Sequence, residues 1–125
     1  MKAPESISEA ESVVLAVLWE RGSATAEDVT AALGEQRNWQ ESTIKTLLSR
    51  LLQKGAIRAE KNGRRFIYSP LLARKQWLSK ESESFLNRLF GGRVAPLVAH
   101  FSRERKLSKR DIRELRDLLR DLEGE

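Results

Sequence analysis

The chain has 125 residues, of which 40% are apolar and 33% are charged, a balance typical of one ordinary globular domain or a small domain with an appendage. It has no cysteine, which excludes disulfides, thiolate metal sites and cysteine nucleophiles. Residues 36–70 hold 8 basic and 2 acidic side chains (net +6), whereas residues 1–35 hold 2 and 7 (net −5). Positive charge concentrated in one stretch favours a polyanionic partner.

Two short helices are predicted at the start of the chain. The pairs Ser8–Glu11 and Thr25–Asp28 each have the capping-box pattern that begins a helix. We expect Gly22 to end the first helix and Gly34 to end the second. Residues 35–40 would then form the connecting turn, with its arginine and tryptophan exposed.

A third helix is predicted over residues 41–54, with Gly55 ending it. Its apolar residues recur at the spacing of one buried stripe, and they are Ile44, Leu47, Leu48, Leu51 and Leu52. The opposite face carries hydroxyls and cations without an acid: Ser42, Thr43, Lys45, Thr46, Ser49 and Arg50. Short hydroxyls framed by cations suit a helix in a DNA major groove, although an ordinary solvated face remains an alternative for this helix taken alone.

A β-hairpin is predicted over residues 56–69. Asn62-Gly63 separates two runs rich in β-branched and aromatic residues, and this dipeptide favours a type I′ turn with positive φ at both central positions. Lys61, Arg64 and Arg65 lie around the turn, where no core could use three cations. Three helices followed by a basic hairpin predict a winged helix-turn-helix, with the third helix in the major groove and the wing on the flanking backbone or minor groove.

Pro70 is expected to close this DNA-binding domain (residues 1–70), and residues 71–125 to form a helical domain. The pattern there predicts a long helix from Leu71 to Phe90, a break at Gly91-Gly92, a short helix containing Pro96 in its first turn, and a last helix begun by the capping box Ser108–Asp111. The predicted fold class is therefore mainly α (α+β).

The helical domain carries more large apolar side chains than so short a segment can cover by itself. We expect these to form a dimer interface: Leu78, Phe85, Leu89, Val94, Leu97, Val98, Phe101, Ile112, Leu115 and Leu119. Folding of these helices back on their own winged domain is the alternative. A two-fold dimer would read an inverted repeat with half-sites about 10 base pairs apart, or a multiple of that.

The sequence resembles the penicillinase-repressor family of bacterial transcriptional repressors, the BlaI/MecI/CopY group. The resemblance covers nearly the whole chain and is carried by the order and spacing of these pieces: residues 7–11, 17–19, 43–44, 46–51, 54–56, 63–64, 68–70 and 84–88, together with Trp39.

The resemblance implies a dimeric winged-helix repressor that blocks resistance or stress-response promoters until a signal removes it. By position, Ser42, Thr43, Thr46 and Arg50 resemble the groove-facing residues of the family, Trp39 a backbone contact and Arg64 the wing contact. It also implies operator DNA and a membrane sensor or protease as partners, and no cofactor.

The chain departs from the family pattern at three places. Relatives often have Ser-Pro-Lys where this chain has Gln40-Glu41-Ser42, so its operator can differ. In the β-lactam branch an Asn-Phe bond is cut on induction, and the matching dipeptide here is His100-Phe101. The copper branch senses its metal through cysteines, which are missing from this chain.

Two other classes of function are less well supported by the sequence. An enzyme is disfavoured, because the sequence offers no Gly-rich phosphate loop, no carboxylate pair on strands and only one histidine, for which we expect a partly buried or interface position before a pH or metal role. A winged-helix adaptor that binds protein instead of DNA is the main alternative. The sequence has no membrane-length apolar run and no signal-peptide pattern, so we expect a cytoplasmic protein without membrane insertion.

Overall fold

The structure, a computed structural model, describes residues 6–124. Its elements follow in the order α1 (Glu9–Arg21), α2 (Ala26–Arg37), α3 (Glu41–Gln53), β1 (Ile57–Asn62), β2 (Arg65–Pro70), α4 (Arg74–Phe90), α5 (Val94–Arg103) and α6 (Lys109–Glu123). The chain divides into two compact units, one ending at Leu78 and the other beginning at Ser79. Three helices followed by an antiparallel hairpin form the winged helix-turn-helix that the sequence predicts, and the fold as a whole is mainly α.

All three predicted capping boxes are formed. The Ser8 hydroxyl accepts a hydrogen bond from the Glu11 N–H at 3.1 Å, and the Glu11 carboxylate accepts one from the Ser8 N–H at 2.9 Å. The same reciprocal bonds begin α2 at Thr25–Asp28 and α6 at Ser108–Asp111. The pKa of Asp28 is lowered mainly by its hydrogen bond with the Thr25 backbone N–H, and to a lesser extent by its hydrogen bond with the Thr25 hydroxyl. Each box occupies N–H groups that a helix start would otherwise leave unpaired.

The predicted end of α2 at Gly34 is wrong. The helix continues to Arg37, and Asn38 ends it in the left-handed conformation with φ of 55°. Asparagine tolerates that conformation better than most residues, so it serves where glycine was expected. Gly34 lies beside the backbone of the turn, since a Cβ built on it would be 3.4 Å from the Trp39 carbonyl oxygen.

The core of the first unit lies under α3. Ile44, Leu48 and Leu51 are fully buried against apolar residues of α1 and α2. Leu52, which the sequence assigned to the same stripe, is 37% exposed, so the buried stripe is narrower than predicted. Burial of each fully enclosed leucine or isoleucine stabilises the fold by about 1.5–3 kcal/mol, and this fixes which face of α3 points outward.

The wing differs from the prediction by one residue at its turn. Asn62 is paired with Arg65, so Gly63 and Arg64 are the two central residues instead of Asn62-Gly63. Of the two, only Gly63 has a positive φ, 67°, which matches the φ signs of a type II′ turn and not those of type I′. A backbone bridge between Ala24 and Tyr68, with N–H···O distances of 3.0 and 2.8 Å, joins β2 to the loop before α2.

The first unit extends past Pro70, where the sequence was expected to change domain. The Trp19 indole N–H donates to the Leu72 carbonyl at 2.8 Å, and the rings of Trp19 and Trp77 lie 5.6 Å apart. Both contacts are made by Trp19 of α1, and they hold the chain up to Leu78 against the winged helix-turn-helix.

The second unit contains the rest of α4 together with α5 and α6. The long helix begins at Arg74 and not at Leu71, and it ends as predicted at Gly91-Gly92, whose φ values are 59° and 79°. Pro96 lies in the first turn of α5, as expected. Within residues 6–124, no helix is both long enough and apolar enough to cross a membrane.

A buried ion pair joins α1 to the end of α3. The Lys54 ammonium lies 2.6 Å from the Glu11 carboxylate and also donates to the Ser6 carbonyl at 2.7 Å. Glu11 is 2% exposed and Lys54 is 20% exposed. Burial raises the pKa of Glu11, but the hydrogen bonds from Lys54 and Ser8 and the Lys54 charge outweigh it and lower the pKa below its usual value. The sequence indicated Glu11 only as a capping residue.

We expect Lys54→Met to lower the free energy of unfolding by about 2–3 kcal/mol at neutral pH, because it leaves the Glu11 carboxylate buried without its cation. Lys45→Met, on the exposed side of the same helix, is the control and should change stability by less than about 0.5 kcal/mol. Urea denaturation measures both. Since pairing lowers the pKa of Glu11 in the folded protein, the pair stabilises above the unfolded pKa of about 4.3 and loses its effect as the pH falls further. The difference between wild type and Lys54→Met should therefore shrink in acid, and a constant difference would contradict this account.

Candidate nucleic-acid interface

The outward face of α3 presents the hydroxyls and cations that the sequence places there. All six of these residues are exposed: Ser42, Thr43, Lys45, Thr46, Ser49 and Arg50. The Thr46 hydroxyl donates to the Ser42 carbonyl at 3.0 Å, which uses its proton but leaves its oxygen able to accept from a partner. One helix thus combines a buried apolar stripe with an outer face of short polar groups.

The cations around this face differ in how free they are. Lys45 and Arg50 on α3, and Arg64 in the turn of the wing, form no ion pair with any residue between 6 and 124. Arg65 does form one, since its Nη2 lies 3.6 Å from Oε2 of Glu27 on α2. Three of the four are therefore available to an outside anion, and the fourth has a partner within the chain.

Trp39 is half-buried, which corrects the expectation that it is exposed. Its ring packs against the core, and the Arg37 guanidinium carbon lies 5.7 Å from the ring centroid. A guanidinium at this distance from an indole is attracted by the negative face of the ring. Trp39 therefore positions the turn before α3, and only part of its surface remains open.

A cleft separates the beginnings of α2 and α3 from the wing. Its volume is about 130 Å³, and it is lined by Thr25, Ala26, Glu27, Glu41, Lys45, Arg64, Arg65, Phe66 and Tyr68. The two glutamates and Phe66 are lining residues that the sequence did not indicate. They come together because the Ala24–Tyr68 bridge places the wing beside the start of α2, a contact between residues far apart in the chain.

The residues expected at a dimer interface lie on three helices. Leu97, Val98 and Leu115 are half-buried, and the others remain exposed in the single chain: Leu78, Phe85, Leu89, Val94, Phe101, Ile112 and Leu119. Leu78 belongs to the first unit and the rest to the second.

His100 and Phe101 lie inside α5 and are both exposed. The imidazole ring is 6.2 Å from the Phe90 ring and 5.4 Å from the Phe101 ring, measured between centroids. His100 therefore lies beside two aromatic rings but remains exposed in the single chain. The partly buried position expected for it is not observed in the single chain.

A family model described as "Penicillinase repressor" matches residues 7–121. The chain belongs to the penicillinase repressor family. Members of this family are DNA-binding transcriptional regulators and not enzymes, so this penicillinase repressor homologue is a DNA-binding transcriptional repressor, as the resemblance of the sequence indicated.

Relatives of this penicillinase repressor homologue match it over most of their length. It is 36% identical to the penicillinase repressor of Bacillus licheniformis, with 97% of this chain and 94% of the relative covered. It is 34% identical to the methicillin resistance regulatory protein MecI of Mammaliicoccus sciuri, covering 90% and 92%. Among solved structures, it is similar to the monomeric form of Bacillus licheniformis BlaI in complex with the blaP half-operator, with a TM-score of 0.52, 37% identity, and coverage of 60% of this chain and 90% of that one.

The α3 hydroxyls can be tested without disturbing the fold. We expect Thr43→Val and Thr46→Val each to keep the stability of the protein within about 0.5 kcal/mol, because both side chains are exposed. Each should reduce the preference for operator over scrambled DNA by about 1 kcal/mol, the typical value of one hydrogen bond.

Thr30→Val on α2 is the matched control, because the Thr30 hydroxyl also donates to the carbonyl four residues earlier, at 2.8 Å. Fluorescence anisotropy titrations with both DNAs give the preference of each variant. Wild-type selectivity in both α3 variants would show that these hydroxyls are only solvated surface.

Proposed function

We propose that the chain acts as a homodimer that binds an inverted-repeat operator, with α3 in the major groove and the wing on the flanking DNA backbone. The observation that carries this proposal is the outer face of α3. It combines exposed hydroxyls with two cations that form no ion pair among residues 6–124, and the wing adds a third such cation at Arg64. Protein surfaces that read DNA need both groups that reach base edges and cations that contact phosphates.

The proposed roles follow from the position of each residue. Ser42, Thr43, Thr46 and Arg50 lie on the outer face of the helix and would reach base edges in the major groove. The remaining candidates would contact the sugar-phosphate backbone: Trp39, Lys45, Ser49, Arg64 and Arg65. A helix that reads bases requires this division, because phosphate contacts fix its register while base contacts select the sequence.

The half-operator complex of BlaI supports this assignment. That protein is 37% identical to this chain over the matched region, and its structure contains a half-operator bound to a monomer. One winged domain of this chain would likewise occupy one half-site. Two half-sites then require two copies.

The second unit supports the proposed homodimer, because it leaves large apolar side chains open to solvent. Phe85 is 38% exposed, Leu89 is 56% exposed and Leu119 is 57% exposed. The apolar residues of α6 form one stripe: Ile112, Leu115, Leu118, Leu119 and Leu122. A second copy of the same chain would cover these surfaces by a two-fold interface in which each helix meets its counterpart.

The relatives suggest control of an antibiotic-resistance gene, since they are named penicillinase repressor and methicillin resistance regulatory protein. We propose that a membrane sensor or protease of the induction pathway relieves repression in the cytoplasm, and that the bond between His100 and Phe101 is the candidate cleavage site. This bond lies within α5, so cleavage would require that helix to unwind locally before a protease could bind it in extended form.

Arg50→Ala and Arg64→Ala test the DNA-binding roles, and we expect both to weaken operator binding in different ways. Loss of a base contact from Arg50 should cost about 1–3 kcal/mol on the operator and less on scrambled DNA. Loss of a phosphate contact from Arg64 should weaken binding to all sequences alike and flatten the salt dependence by about 0.9 per protomer.

Arg113→Ala is the control for these variants, because it removes the same charge from the side of α6 away from its apolar stripe. Titrations at several salt concentrations distinguish DNA binding from a protein-binding adaptor role, since contacts with phosphates weaken steeply with salt. Operator affinity that is unchanged in both variants would overturn the proposed interface.

Truncation after Phe101 tests the dimer. We expect residues 1–101 to keep the folded winged domain, which has its own core, but to be monomeric, because the leucine stripe of α6 is removed. Each half-site would then be bound singly and weakly. Sedimentation velocity and titration with full and half operators measure these properties. A truncated chain that stays dimeric and binds the full operator with the affinity of the intact chain would rule out this role for the second unit.

A further inference from the structure

Glu27 is an acidic residue that lines the same cleft as the basic residues of the wing. It lies in the first turn of α2, and its carboxylate is 3.6 Å from the Arg65 guanidinium. Arg64 and Lys45 line the cleft as well. If the wing contacts DNA as proposed above, a negative charge stands beside the cations that the phosphates would approach.

This ion pair contributes little to holding the wing in place. The two side chains are 60% and 65% exposed, and ion pairs in water at that exposure stabilise a fold only slightly. The backbone bridge between Ala24 and Tyr68 already fixes β2 beside the start of α2. These backbone hydrogen bonds hold the wing in position without the Glu27 carboxylate.

We propose that Glu27 lowers the affinity of the chain for DNA by restraining Arg65. Its carboxylate acts as a counterion within the chain and keeps the guanidinium from binding phosphates on DNA of any sequence. At the operator, α3 seats fully in the groove and brings the backbone close enough for a phosphate to replace the carboxylate. This inference rests on the proposed DNA-binding function.

The physical reason is that phosphate contacts raise affinity for all sequences. A chain segment with a net charge of +6 would bind random DNA tightly unless some cations were withheld. A carboxylate competes with phosphate for the same guanidinium and also repels the DNA backbone. Because the pair is exposed, it can exchange partners without first breaking a packed contact.

The experiment compares Glu27→Gln with wild type on two DNA duplexes, one selected from random sequences by the wild-type protein and the other a scrambled duplex of equal length and composition. We expect Glu27→Gln to bind the scrambled duplex about three- to tenfold more tightly, with a salt dependence steeper by about 0.9 per protomer, as for one added phosphate contact. Affinity for the selected duplex should rise at least as much, because the wild-type protein must break the pair with Glu27 before a phosphate of that duplex can bind Arg65.

Two further variants isolate the role of Arg65. Glu35→Gln removes the same charge from the same helix, but Glu35 does not line the cleft and forms no ion pair with any described residue, so it should leave both affinities within about twofold. In the double variant Glu27→Gln with Arg65→Gln, the gain on scrambled DNA should disappear relative to Arg65→Gln alone, because the two residues act as one unit.

The possible results distinguish a failure of the proposed role of Glu27 from a failure of the proposed operator binding. A gain that persists without Arg65, or that Glu35→Gln reproduces, would show a general charge effect and overturn the role of Glu27. Unchanged binding of the scrambled duplex by Glu27→Gln would overturn it as well. A wild-type protein from which no duplex can be selected, and which binds scrambled DNA just as well as any other, would instead overturn the proposed operator binding itself.

Discussion

The ion pair between Lys54 and Glu11 fixes the helix on which the proposed function depends. It joins the residue that follows α3 to the beginning of α1, and the same carboxylate accepts the capping hydrogen bond of Ser8. A buried carboxylate tolerates few arrangements, because it is stable only when its cation and hydrogen-bond donors are in place. Together with the buried stripe centred on Leu48, this pair sets the rotation of α3, so that its hydroxyl face is turned to solvent.

The parts of the fold that could be predicted from the sequence are those determined by neighbouring residues. A capping box needs only two side chains three residues apart, and all three boxes are formed. The errors at Gly34 and at the wing turn arose where distant residues decide the conformation. Gly34 stays helical beside the Trp39 backbone, and the register of the wing belongs to a hairpin that is also bridged to Ala24. Local turn preference predicted a hairpin correctly but placed its turn one residue early.

The candidate site likewise contains some residues that could be placed from the sequence and others that could not. Helical periodicity was enough to place the six polar residues of α3 on one exposed face, because each residue advances by a constant angle around the helix. The cleft could not be found in this manner. It depends on the wing lying beside α2, which brings together Glu27 and Arg65 from segments that are separated by the whole of α3. The prediction that Trp39 is exposed was wrong for a related reason, since its ring packs against the core of the first unit.

General attraction to DNA and recognition of a particular base sequence require different properties of this surface. The basic middle segment attracts any DNA, and attraction of that kind does not distinguish one sequence from another. The α3 hydroxyls distinguish bases only at hydrogen-bond distance, which requires the helix to seat fully in the groove. A repressor that bound every phosphate backbone strongly would remain at sites where these hydroxyls have nothing to read. Carboxylates at the edge of the interface reduce the general attraction and leave the short-range contacts unchanged. The acidic residues of the cleft are therefore compatible with DNA binding, and they reduce its strength.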